Sequence, residues 1–159
     1  MSPDLSLAVQ YATPAPELPR WRLRRWVLQA VQGMAQAEGP GADALRAVAL
    51  TLRLVDADEG RRLNHEFRGK DYATNVLTFE YGVDPDGTAS GDVVLCVPVL
   101  HREAAEQGKR VLDHAAHLTV HGVLHALGYD HIEADEAQAM EALEVRILGK
   151  MGIADPYQA

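Results

Sequence analysis

Apolar and polar residues alternate from Leu5 to Tyr11, with Leu5, Leu7, Val9 and Tyr11 on one side. A period of two predicts a strand. A proline-rich turn, Pro14 to Pro19, follows. Leu23, Trp26, Val27, Ala30, Val31 and Met34 then recur at helical spacing and predict an amphipathic helix, ended by Gly39-Pro40-Gly41. Ala47 to Val55 alternates again and is rich enough in β-branched residues for a strand. Asp56 is placed to cap a short helix from Asp58 to Phe67. Val76 to Phe79 reads as a strand, Tyr81 to Ser90 as a turn-rich loop around Asp84-Pro85-Asp86-Gly87, and Gly91 to Val97 as a further strand. A helix opens at Pro98 or Val99 and breaks at Gly108. Another spans Val111 to Leu127, and a last one begins at Asp135 with Ala139, Met140, Leu143, Ile147 and Leu148 turned inward. Strands and helices mix without strict alternation. This predicts an α+β fold, one domain over residues 1–159, with a small mixed β-sheet packed by about five helices.

Composition narrows the function. A chain of 159 residues is one domain by size, and 47% apolar content is enough to bury a core. The sequence has neither an apolar run long enough to span a bilayer nor a basic segment leading into an apolar stretch at its start, so neither a membrane span nor a secretory signal is expected. The single Cys96 excludes an internal disulfide and fits a reducing cytoplasm. On a strand it reads as a small buried residue rather than a metal ligand. The net charge of −8 argues against a general nucleic-acid binder. The charge is uneven: residues 130–159 hold seven acids and two bases. An acidic C-terminal helix can face solvent while a cationic cleft forms elsewhere. Weak affinity for naked RNA is therefore expected, with recognition aided by a protein or ribosomal context.

The chemistry concentrates in His121-Gly122-Val123-Leu124-His125-Ala126-Leu127-Gly128-Tyr129-Asp130-His131. Four residues of helix advance about 400°, so His121 and His125 project from one face. Gly128 can take the left-handed conformation that ends a helix and bring His131 back toward them. Three neutral nitrogens would leave a divalent ion one open position, the mark of a catalytic metal. Zinc peptidases place a glutamate directly after the first histidine as general base. Gly122 holds that position here, which disfavours peptide hydrolysis. His114 and His117 share the stripe but precede the site by one or two turns, roughly 6–11 Å. Each reads first as a partner for a carboxylate or backbone group. Asp130 can either orient a ligand ring or cap the following turn.

These residues resemble the rRNA maturation factor family called YbeY, a set of bacterial metal-dependent endoribonucleases. The run from His121 to His131 matches its H-G-x-L-H-x-x-G-Y-D-H signature at every defined position. Further agreement lies in Leu63 to Asp71, Thr74 to Phe79, Gly91 to Leu95 and the terminal helix from Ala139 to Leu148. The likeness runs from about residue 45 onward. Departures fall at Ala73, Thr78, Glu80 and Cys96, where proline, serine, proline and serine are usual. The resemblance implies that His121, His125 and His131 hold the metal, that Arg68 is tied to RNA cleavage, and that the substrate is single-stranded rRNA at the 3′ end of the small-subunit 16S species. It also implies a part in ribosome quality control. The implied partners are the small ribosomal subunit, with ribosomal proteins or ribosome-associated GTPases.

On motif chemistry alone, Arg68 and Lys70 are surface loop cations; the resemblance reverses that for Arg68 and leaves Lys70 open as a phosphate contact. A guanidinium can bond two phosphate oxygens at once. The expected reaction is phosphodiester hydrolysis assisted by Zn²⁺ or a similar ion, with His121 and Arg68 as catalytic residues. Two alternatives are a metal-dependent hydrolase of another substrate, such as a peptide, and a non-catalytic ribosome-associated factor with a structural metal. The four arginines Arg20, Arg22, Arg24 and Arg25 interleave with Trp21 and Trp26. They read as a solvated helix face beside a core tryptophan or, alternatively, as a phosphate-contacting patch.

Overall fold

The computed structural model describes residues 3–37, 45–129 and 133–158. Its elements are β1 (Asp4–Tyr11), α1 (Arg20–Gln36), β2 (Ala47–Val55), α2 (Ala57–Arg68), β3 (Val76–Val83), β4 (Thr88–Cys96), α3 (Val97–Gln107), α4 (Val111–Ala126) and α5 (Ala134–Lys150). The four strands form one mixed sheet in the order β1-β2-β4-β3. β1, β2 and β4 run parallel, and β3 is an antiparallel edge strand on β4. The α+β expectation with five helices is met among the described residues.

Alternation decides which side of the sheet each helix covers. Val48, Leu50, Leu52 and Leu54 of β2, with Ala89, Val93 and Leu95 of β4, enter the main core. There they meet Leu23, Val27, Val31 and Met34 of α1, the apolar side of α4, and Met140, Leu143, Ile147 and Leu148 of α5. The opposite face is covered only over one half. Val55, Leu77, Val94, Cys96 and Val99 form a smaller cluster with Leu63 and Phe79. Cys96 is buried there, in the packing role expected of it.

α2 starts as its sequence dictates: the Asp56 side chain accepts from the Glu59 N–H at 2.8 Å, a cap worth about 1 kcal/mol. It ends at Gly69, whose φ of 70° is left-handed and closes the helix with backbone bonds to Asn64 and His65. Three expectations are corrected. The region from Tyr81 to Ser90 is mostly strand, because β3 continues to Val83, β4 begins at Thr88, and Asp84 Oδ1 accepts from the Asp86 and Thr88 N–H groups in a tight turn. Ala139 is exposed, since the inward stripe of α5 is Met140, Leu143, Glu144, Ile147 and Leu148. The C-terminal helix also does not keep all its acids in water: Glu144 is fully buried. Gly39-Pro40-Gly41 lies outside the described residues. At the start of α1, Trp26 is buried while the Arg22 guanidinium lies 4.7 Å from the exposed Trp21 ring and that of Arg20 lies 5.0 Å from Tyr11.

Candidate metal centre

α4 lies tightly on β3 and β4 because Gly122 has no side chain. A Cβ there would come within 2.7 Å of Val93 Cγ1 and 3.3 Å of Val76 Cγ2. The position a peptidase would use for its base thus points into the sheet. The close approach also brings the next turn of α4 against β3, where Thr78 Oγ1 sits 2.7 Å from His125 Nδ1. One turn earlier, His121 Nδ1 lies 2.6 Å from Glu144 Oε1 of α5. A carboxylate accepts, so His121 carries its proton on Nδ1 and its basic lone pair on Nε2. Thr78 Oγ1 can accept from His125 Nδ1–H with the same result. The two rings are 6.5 Å apart and nearly parallel, at 23°. Each is oriented from behind by a residue on a different element, as metal-binding imidazoles require.

Glu144 is the unexpected part. It is fully buried, yet it accepts from two donors: His121 Nδ1–H and the Tyr157 hydroxyl. A buried carboxylate is tolerable only when hydrogen-bonded in this way. Burial, and then the bond to Glu144, push the Tyr157 hydroxyl well above its ordinary range, so it stays a donor. His117 completes the cluster, with Nε2 at 3.2 Å from Tyr157 Oη and 3.9 Å from Glu144 Oε1. Its pKa is lowered to about 4 by burial, which outweighs the attraction of Glu144. His117 is therefore neutral at physiological pH, and the contact is no ion pair. His117, His121 and Glu144 place potential ligand atoms within 4.8 Å of one another and could hold a metal ion. His114 is the carboxylate partner expected of it, with Nε2 at 2.9 Å from Glu103 Oε1.

After His125 the chain turns as the glycine predicts. Gly128 has φ of 108°, and the Gly128 and Tyr129 N–H groups return to the carbonyls of His125 and Leu124. His131 and Asp130 lie outside the described residues. Arg68 is the last residue of α2 and is exposed, as is Lys70 just beyond Gly69. Their loop is pinned: Arg61 grips Asp71 through two bonds of 2.8 and 3.0 Å, and buried Asn64 donates to the Tyr72 carbonyl at 2.8 Å. Neither Arg68 nor Lys70 has an ion-pair partner among the described residues. Phe67, next to Arg68, packs edge-on against Phe79 at 5.2 Å. β3 thus touches α2 through Phe79 and the histidine face of α4 through Thr78.

Sequence reasoning missed Glu144, Tyr157 and the bond made by Thr78. Only Glu144 left a signal: it stands on the inward stripe of α5, four residues after Met140 and three before Ile147, where an acid needs a buried partner.

Comparison with known proteins agrees with this geometry. Residues 9–152 match the family described as Endoribonuclease YbeY. A relative of that name from Bordetella pertussis is 66% identical over 159 residues, covering 100% of this chain and 99% of the relative. One from Alkalilimnicola ehrlichii is 52% identical over 163 residues, covering 99% and 93%. One from Thiobacillus denitrificans is 48% identical over 160 residues, covering 100% of each. The solution structure of a Thermotoga maritima protein superposes with a TM-score of 0.56 at 20% identity, covering 96% of this chain and 99% of that one, and so shares the fold. With His121 and His125 on one helix face and the match spanning nearly the whole chain, this protein belongs to the endoribonuclease YbeY family.

Proposed function

We propose that this protein is a zinc-dependent, single-strand-specific endoribonuclease of rRNA maturation, acting at the 3′ end of small-subunit 16S rRNA and in ribosome quality control. The observation that carries the metal dependence is the paired orientation of His121 and His125, each with Nδ1 hydrogen-bonded to a residue from another element. In this reading His121 and His125 bind one ion through Nε2, and His131 is the third ligand. Glu144 acts behind His121 and holds it in place, since both of its oxygens already accept hydrogen bonds. When bound there, a Zn²⁺ ion would supply Lewis acidity and activate water near neutral pH without a glutamate base. Arg68 bonds the phosphoryl oxygens as charge develops there. Lys70 assists as a point charge on the flanking phosphate. Asp130 orients a ligand ring or caps the following turn. The relatives' name, the endoribonuclease family and the exposed Arg68 at the end of α2 favour RNA as substrate. Gly122, packed into the sheet, counts against a peptidase.

The working location is the cytoplasm, on the small ribosomal subunit, with ribosomal proteins or ribosome-associated GTPases as partners. Among the described residues no helix is long and apolar enough to cross a membrane. The test is metal analysis of the pure protein combined with cleavage of single-stranded rRNA fragments, with and without chelator. Arg68→Ala should slow cleavage by about 100-fold or more while metal content is unchanged. Wild-type cleavage rates in Arg68→Ala, or full activity in chelator, would overturn the assignment.

A further inference from the structure

The edge strand β3 has a second face. Thr78 points to His125, so its neighbours Phe79 and Tyr81 point the other way. Phe79 is half-buried in the minor core and holds the Phe67 ring at 78° and 5.2 Å. Phe67 is nevertheless 58% exposed and Tyr81 63% exposed. Neither ring swings at random: Phe67 leans on Phe79, and the Tyr81 hydroxyl donates to Asp92 Oδ2 at 2.7 Å. Past Tyr81 the sheet carries no helix among the described residues and forms an open recess of about 290 Å³, floored by the small residues Ser6, Ala49, Thr51 and Ser90 beside Asp92. Two large rings held open to water beside an open recess are costly features to keep without an occupant.

We infer that Phe67 and Tyr81 form a base-stacking platform that binds unpaired nucleotides of an RNA strand draped over β3. This deepens the nuclease reading and rests on it. The chemistry of the surroundings selects the occupant. Residues 61–81 carry four Lys/Arg against three Asp/Glu, in a chain whose net charge is −8. Asp71 is paired with Arg61 and Asp92 accepts from Tyr81, while Arg68, next to Phe67 in the chain, and Lys70 are exposed and have no ion-pair partner among the described residues. Aromatic faces flanked by cations suit single strands, because every base offers a π-face and a backbone phosphate follows it. A duplex hides its base faces. The platform therefore supplies single-strand selectivity from the face of β3 opposite His125.

The test compares wild-type protein with Phe67→Ala, Phe67→Trp and Tyr81→Leu, on a single-stranded rRNA fragment and on the same sequence as a duplex. Steady-state cleavage and fluorescence-anisotropy binding are both read on metal-loaded protein. Phe67→Ala should raise KM and Kd for the single strand about tenfold, leave kcat within a few-fold, and leave duplex binding unaltered. Phe67→Trp should restore affinity, and Tyr81→Leu should weaken it in the same direction. Single-strand binding within twofold of wild type in both Phe67→Ala and Tyr81→Leu overturns the platform, as does equal weakening toward duplex. If Phe67→Ala fails to fold, Tyr81→Leu decides alone. If wild-type protein binds the single strand but does not cut it, the nuclease reading fails, while the anisotropy series still judges the platform separately.

Discussion

On one side of β3, Thr78 meets His125 in a cluster held by hydrogen bonds from several elements: Glu144 is sealed from water, Tyr157 closes over it, and His121 has little freedom to rotate. On the other side, Phe79 supports Phe67, and Arg68 and Lys70 stand in solvent on a loop fixed only through its backbone and neighbours. The difference follows from what each side has to bind. An ion is small and its ligand atoms must converge closely, which needs rings locked by outer hydrogen bonds. A polyanion is long and mobile. Cations that reach it must stay hydrated until it arrives, because buried unpaired guanidinium groups are expensive.

The largest effect that would break this contrast is expected at the metal side. His121→Ala should cost on the order of 100-fold or more in metal affinity and abolish cleavage, whereas Arg68→Ala keeps its metal. Metal content by mass spectrometry, taken on both variants together, separates the two sides. Glu144→Gln comes next. It keeps the shape but weakens the bond that holds His121, and metal affinity should fall about 10–100-fold, measured by competition with a chromophoric chelator. Unchanged affinity would mean that Glu144 only fills space. Gly122→Ala tests the approach of α4 to the sheet. The added Cβ meets the branched, buried Val93 at 2.7 Å, so α4 must shift, at a cost of about 1–3 kcal/mol in urea unfolding. The smallest effect belongs to the exposed side. Arg61 lowers the Asp71 pKa below its ordinary value of 3.8, chiefly through the hydrogen bond. A lowered carboxylate pKa stabilises the fold above 3.8 and loses that contribution as pH falls through the folded value. Asp71→Asn should therefore unfold slightly more readily than wild type at pH 7, and the gap should shrink as pH falls below 3.8. A gap that widens on acidification would reverse the assigned sign.

The sequence by itself determined the elements and the histidine face. Strand alternation, the Asp56 cap, the glycine stops and the His121–His125 spacing are local, and local periodicity suffices to read them. Even there it misjudged Tyr81 to Ser90, where turn-forming residues outweighed a strand that exists only because β4 lies beside it. The tertiary structure alone decided what stands behind each imidazole. Glu144 is 23 residues from His121 and Thr78 is 47 from His125, and no periodicity spans such separations. Tertiary structure also turned Gly122 from a missing base into a point of contact with Val93. It set Phe67 and Arg68 across one strand from the histidines, because strand order and helix docking come from burying both faces of a sheet at once, and a linear chain carries no direct record of that.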